Sequence, residues 1–171
     1  MSLTISTTHF ATFERKYDHL AVNANPFPNS MPKAPSKVPF EFLFDTGAMM
    51  TMVDVGTAKK LNYLSLPTKR TLTLGGIVPG YSITVDYKVI AGIEIAGLRL
   101  SKVTVAIPNP NDPNAENFER NILGQNVLEY FNYFMHTSNS SIYFERNPDP
   151  QPVSKDATCG IVFLADEVFP E

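Results

Sequence analysis

The chain has 171 residues, 43% hydrophobic and 18% charged, a composition that fits one globular domain with a sizeable core. Its net charge is -3 with acids and bases intermixed, so it lacks the basic stripe that neutralises phosphates, and nucleic acid is not an expected partner. Apolar runs such as Ile161-Val162-Phe163-Leu164-Ala165 fall far short of the roughly 20 residues a membrane-spanning helix needs, so no membrane partner is expected either.

Cys159 is the single cysteine, which excludes an intramolecular disulfide. His9, His19 and His136 have no ligand spacing, so neither a metal nor a cofactor is expected. The first residues, Met1-Ser2-Leu3-Thr4-Ile5, lack a basic region followed by an apolar core. The expected location is therefore the cytoplasm, where the sequon Asn139-Ser140-Ser141 is only a turn.

Strand signals dominate along the chain. Thr4 to Glu14 is rich in Thr, Phe and Ile, and His19 to Asn23 is a second extended segment. Pro26, Pro28, Pro32, Pro35 and Pro39 mark an irregular loop, which leads into an apolar strand over Phe40–Phe44. Thr57 to Leu61 reads as a short helical turn. Thr71–Leu74, Ser82–Ile90, Ile93–Ile95 and Leu98–Ile107 follow as strands separated by glycines, and a loop with Pro108, Pro110 and Pro113 comes next. Val127 to His136 has a helical spacing, with Val127, Phe131, Phe134 and Met135 on one face and Asn126 as its cap. The aromatic cluster Tyr130, Phe131, Tyr133 and Phe134 is then core and helix face. Ser141–Phe144 is a last strand, and Pro148, Pro150 and Pro152 precede a tail containing Ile161–Phe169. Many short strands with glycine turns and one late helix predict an all-β fold, a small closed β-barrel with one C-terminal helix.

The chemistry is concentrated in Phe42-Leu43-Phe44-Asp45-Thr46-Gly47-Ala48. A carboxylate delivered by an apolar strand is costly unless hydrogen-bonded, so such an aspartate usually has a task. Gly47 allows a sharp turn beside it, Ala48 takes little space, and Thr46 supplies a hydroxyl. An ordinary Asp-Gly turn is the competing explanation.

Three segments taken together resemble the retropepsin-like (retroviral-type) aspartic proteases. They are Phe42 to Ala48, then Leu74-Gly75-Gly76-Ile77-Val78-Pro79-Gly80-Tyr81, then Asn121-Ile122-Leu123-Gly124-Gln125-Asn126-Val127-Leu128. Thr51, Asp54 and the hairpin segment Ile93-Glu94-Ile95-Ala96-Gly97 extend the likeness, which covers about Phe40 to Phe144. The resemblance implies a protease core over 40–147, N-terminal strands and a Pro-rich loop over 1–39 joined to the barrel, and an extension over 148–171. It also implies a catalytic loop of Asp45, Thr46 and Gly47. Substrate would meet Ala48, Met49, Met50 and a flap of Gly75, Gly76, Ile77, Val78 and Gly80. Gly124, Gln125 and Asn126 would form the structural floor.

One departure concerns that floor. Members commonly have an acid after the catalytic Ala and an Arg after the later Gly, which pair; this chain has Met49 and Gln125. Removing one partner would leave a charge stranded, whereas removing both leaves none, as expected of a divergent, non-viral member. The chain has one Asp-Thr-Gly, and Asp54-Val55-Gly56 lacks the hydroxyl, so the resemblance implies a homodimer with one Asp45 from each subunit. The implied activity is an aspartic endopeptidase that cleaves an extended peptide with a dyad-activated water. The alternative is a non-catalytic dimeric domain that uses the same fold for peptide binding or assembly.

Overall fold

The computed structural model describes residues 8–16, 19–78 and 81–151, and of 75–78 and 81 the backbone only. Two early strands, β1 (Phe10–Lys16) and β2 (His19–Pro26), form a hairpin. A proline-rich loop then leads to β3 (Phe40–Phe44) and the short helix α1 (Val55–Lys60). The long strands β4 (Thr68–Val78), β5 (Tyr81–Ile95) and β6 (Leu98–Pro108) make an antiparallel meander. The two-residue β7 (Ile122–Leu123), the single-turn α2 (Gln125–Leu128), β8 (Phe131–His136) and β9 (Ser141–Arg146) complete it.

The strand order is β4-β5-β2-β1-β9-β8, with β3 between β2 and β7 and with β6 on β5. This sheet is not closed, in contrast to the barrel expected from the sequence. Among the described residues, β4 pairs only with β5 and β8 only with β9. The edges also resist closure chemically. Lys69 and Arg70 lie on β4, and Arg99 and Lys102 on the first half of β6. Charged edge residues favour water over another strand.

The second departure concerns the late helix. Only Gln125–Leu128 is helical, its N-cap is Gly124 rather than Asn126, and Phe131–His136 is a strand paired along its length with β9. Aromatic residues tolerate a pleated surface well, and the cross-strand partners outweigh a helical spacing that has no long partner helix. Phe131 is buried with its ring 5.8 Å from that of Phe144, whereas Tyr133 and Phe134 are exposed rather than in the core.

The last three residues of β3, Phe42, Leu43 and Phe44, are apolar without alternation because both faces are covered there, whereas Glu41 is exposed. Phe42 and Phe44 point into the main core with Phe13, Val22, Ile93, Ile95, Val105, Leu123, Leu128 and Phe144. Leu43 points the other way, into a smaller cluster with Ala48, Met52, Leu74, Ile83, Val85, Phe118 and Ile122. The β5–β6 turn uses Ala96 (φ 51°) and Gly97 (φ 80°), and two successive left-handed residues give a tight hairpin. Tyr63 is fully buried, its hydroxyl donates to the Phe27 carbonyl at 2.7 Å, and burial pushes its ionisation upward.

Candidate active site

The chain leaves the core at the carboxylate. Phe42 to Phe44 are buried, Asp45 is half-buried, and Thr46 and Gly47 are exposed. The Asp45 N–H donates to the Leu123 carbonyl at 3.1 Å, which carries the parallel β3–β7 pairing one residue past β3. Asp45 Oδ1 accepts from the backbone N–H of Gly47 at 2.8 Å and of Ala48 at 3.2 Å. An aspartate that folds the following backbone over its own oxygen is held in one orientation by charge-assisted bonds. Ala48 is completely buried, so its methyl anchors the loop in the smaller core cluster.

The floor of this loop is the start of α2. Its first N–H groups have no partners within the helix and need acceptors elsewhere. Gly124 N donates to Thr51 Oγ1 at 3.1 Å, Gln125 N to the Ala48 carbonyl at 2.7 Å, and Asn126 N to the Met49 carbonyl at 3.1 Å. Asn126 also uses its side chain: Oδ1 accepts from Thr51 N at 2.7 Å, and Nδ2 donates to the Thr104 carbonyl on β6 at 2.8 Å. The Gln125 amide, at the position where members commonly have an arginine, donates to the Thr46 carbonyl at 2.6 Å. A neutral donor thus fastens the loop with no acid at Met49 to pair with.

Residues 51–53 thread between β6 and β7. Met52 exchanges two bonds of 2.9 Å with Ile122, while the Thr51 carbonyl and the Val53 N–H both bond Ala106 at 2.9 Å. Asp54 then caps α1, accepting from Thr57 N at 2.8 Å and Thr57 Oγ1 at 2.7 Å. Asn121, to which the sequence assigned no task, is the buried hub behind this arrangement. Its Oδ1 accepts from Asp54 N at 3.0 Å, and its Nδ2 donates to the Glu41 carbonyl at 3.0 Å and Thr57 Oγ1 at 3.1 Å. The only hint was an amide placed directly before an apolar pair, which is a weak signal.

The structure therefore brings Asp45, Thr46, Gly47, Ala48, Met49, Gly124, Gln125 and Asn126 into one hydrogen-bonded unit. Met50 is half-buried against the cluster that contains Leu74 and Ile83, at the root of the β4–β5 hairpin. Gly75, Gly76, Ile77 and Val78 lie on β4, where Gly75 faces Ser82 and Val78 faces Tyr81. Pro79 and Gly80 are outside the described residues, as is the tail segment 161–169. The hairpin root is held by Asp86, which accepts from Thr71 Oγ1 at 2.7 Å and Asn109 Nδ2 at 3.2 Å. Next to it, Asp112 accepts from Asn114 N at 2.8 Å and Thr84 N at 2.7 Å, bonds that hold its carboxyl below the ordinary aspartate value.

The family model described as Aspartyl protease matches residues 35–127, more than half of the chain and the whole of the Asp45 loop and its floor. The chain belongs to the aspartyl protease family. Its fold is that of the retropepsin-like branch. A crystal structure of a retropepsin-like aspartic protease from Rickettsia conorii superposes with a TM-score of 0.51 at 19% identity, covering 79% of this chain and 87% of that one. No curated protein matches. Among the described residues no helix is long and apolar enough to cross a membrane.

Proposed function

We propose that the chain is an aspartic endopeptidase that hydrolyses peptide bonds through a water held between two Asp45 carboxylates, one from each subunit of a homodimer. The observation that carries this is the fixed carboxylate. One Asp45 oxygen is occupied by the Gly47 and Ala48 N–H groups, and the residue sits at the mouth of the loop rather than in the core. A structural Asp turn makes the same two bonds; what supports the catalytic reading is that this turn lies within residues 35–127, which match the aspartyl protease family.

In the dyad the two carboxylates are too close for both to be ionised, so they share a proton over a wide pH range. The ionised Asp45 takes a proton from the water as it attacks the scissile carbonyl carbon, and the protonated partner donates to the carbonyl oxygen. Thr46 at the exposed turn would bond the partner's loop. The β4–β5 hairpin would close over an extended peptide with backbone hydrogen bonds, and Met49 and Met50 would offer adaptable apolar contacts. The protease unit is 40–147.

Wild type and Asp45→Asn, each checked for native circular dichroism, are incubated with a mixed peptide library between pH 4 and 7. Cleavage by wild type and its loss in the variant is the expected result. Cleavage in neither would favour the peptide-binding alternative, and cleavage in both would reject Asp45 as the catalytic acid.

A further inference from the structure

Strand β5 loses its second neighbour before the β4–β5 hairpin ends. β6 pairs with it from Ile95↔Leu98 to Val85↔Pro108, and beyond that only β4 remains, from Thr84↔Thr73 to Ser82↔Gly75. One edge of β5 over Ser82–Thr84 therefore has no strand beside it among the described residues. Its backbone groups are nevertheless bonded, to the loop that follows β6. Asn109 N donates to the Thr84 carbonyl at 2.8 Å, one more backbone bond past Pro108. Side chains then take over. Asp112 Oδ2 accepts from Thr84 N at 2.7 Å, and Asn114 Nδ2 donates to the Ser82 carbonyl at 3.0 Å. Asn109 Nδ2 adds a bond to Asp86 Oδ2 at 3.2 Å. An aspartate and two asparagines thus stand where a neighbouring strand would be.

The loop is stiff enough to hold what it grips. Pro110 and Pro113 fix two of its backbone angles. Asn109 Oδ1 accepts from Asn111 N at 2.9 Å, Asp112 Oδ1 from Asn114 N at 2.8 Å, and the Asp112 carbonyl from Ala115 N at 3.0 Å. These bonds order the loop by itself, so little further freedom is lost when it holds the hairpin. Its far end is anchored too. Ala115 is buried, and Phe118 packs in the cluster that contains Ala48, Leu74 and Ile83. Ala48 closes the Asp45 turn, so the loop fixes the hairpin against the same core that seats the carboxylate.

We propose that 109–114 is a strap for the hairpin, with Asp112 and Asn114 as positioning residues that set the height of β5 over a bound peptide. This rests on the aspartic endopeptidase reading, in which the hairpin covers the substrate. The bonds of both side chains go to β5 or stay within the strap. They therefore act on how firmly the hairpin grips, and not on the Asp45 carboxylate. A grip shared equally by bound substrate and transition state changes KM and leaves kcat as it was. A loop that serves folding alone behaves in the opposite way. Its variants lose kcat per total protein, because part of the chain is unfolded, while KM stays constant.

The test uses the full chain at pH 6, with peptide cleavage and amide hydrogen exchange measured on the same variants. Asn114→Ala keeps the backbone bond to Asp112 and removes only the Ser82 contact. Its KM should rise about threefold, and that of Asp112→Ala, which loses a charged acceptor, about tenfold, with kcat within about twofold of wild type in both. Exchange reads the same hold without catalysis. Asn114→Ala leaves the Thr84 N–H its own acceptor, so exchange there should quicken at least about threefold as the arm comes off the strap. Glu116→Ala, an exposed change further along the loop, should alter neither quantity. If Asp112→Ala does not fold, Asn114→Ala decides. Unchanged Thr84 exchange in folded Asn114→Ala, or kcat falling at constant KM, overturns the strap and leaves the Asp45 mechanism standing. No cleavage by wild type overturns the aspartic reading instead, and Thr84 exchange then still decides whether the strap holds the arm.

Discussion

Gln125 donates from Nε2 to the Thr46 carbonyl at 2.6 Å, so the first residue of α2 holds the loop that presents Asp45. Gln125→Ala removes that donor and should lower kcat roughly tenfold with KM little changed, because the carboxylate is positioned less well. The stability loss should be only about 1 kcal/mol at this partly exposed site. Gln125→Glu sets a carboxylate against a carbonyl and should be worse than Ala at pH 6. Its disadvantage relative to Ala should shrink as the new glutamate protonates toward pH 4 and can donate. Steady-state kinetics across pH for the three proteins checks this.

Gly124 lies directly under the loop. A Cβ there would stand 2.4 Å from the Met50 carbonyl carbon, 2.6 Å from its oxygen and 2.8 Å from Thr51 N. All three are backbone atoms and cannot swing aside, so Gly124→Ala should cost about 3 kcal/mol. Urea denaturation followed by circular dichroism measures it, and a change below about 1 kcal/mol would contradict the tight floor.

Asn121 joins β3, Asp54 and α1 from a buried position. Asn121→Leu fills a similar volume but leaves the Asp54 N–H, the Glu41 carbonyl and Thr57 Oγ1 without this partner. Each buried group so stranded costs about 1–3 kcal/mol, and partial relaxation brings the expected total to about 3 kcal/mol. Equilibrium unfolding tests the figure, and peptidase activity at a temperature where the variant is folded should survive.

Asp112 binds two backbone N–H groups in its ionised form, first that of Asn114 and then that of Thr84, and its carboxyl is lowered from the ordinary 3.8. A folded-state value below the unfolded one means the carboxylate stabilises the protein above the unfolded value. That contribution is lost as pH falls through the lowered folded value. Asp112→Asn should therefore be less stable than wild type at pH 6, and the gap in Tm should close as the pH drops well below 3.8. A gap independent of pH would refute the linkage.

Local chemistry was legible along the chain. The Phe40–Phe44 run declared a strand, and Asp45-Thr46-Gly47-Ala48 declared a turn around an acid, because a few adjacent residues decide both. The turn of α1 was legible from Thr57 to Leu61, but the helix starts two residues earlier, at Val55, where Asp54 caps it by accepting from Thr57 N. The segment after Gly124 was not. Val127, Phe131, Phe134 and Met135 have helical spacing, yet β9, arriving ten residues later, pairs with Phe131–His136 and makes it a strand. Cross-strand packing outweighs periodicity when the competing helix would have nothing long to lie against.

The sequence by itself determined that one acid would stand at the end of one buried strand, in an aspartyl protease framework, because backbone turn and side chain there are set by neighbours. Only the tertiary structure decided how that acid is held and which edge stays open. Gln125 reaches Thr46 across 79 residues and Asn126 reaches Thr51 across 75. Such bonds exist once the threading of residues 51–53 between β6 and β7 has brought the two loops together. The bare β8 edge likewise exists only because β9 takes one side of that strand and nothing described takes the other. Pairing partners distant in sequence, rather than the residues of β8 alone, make it a surface.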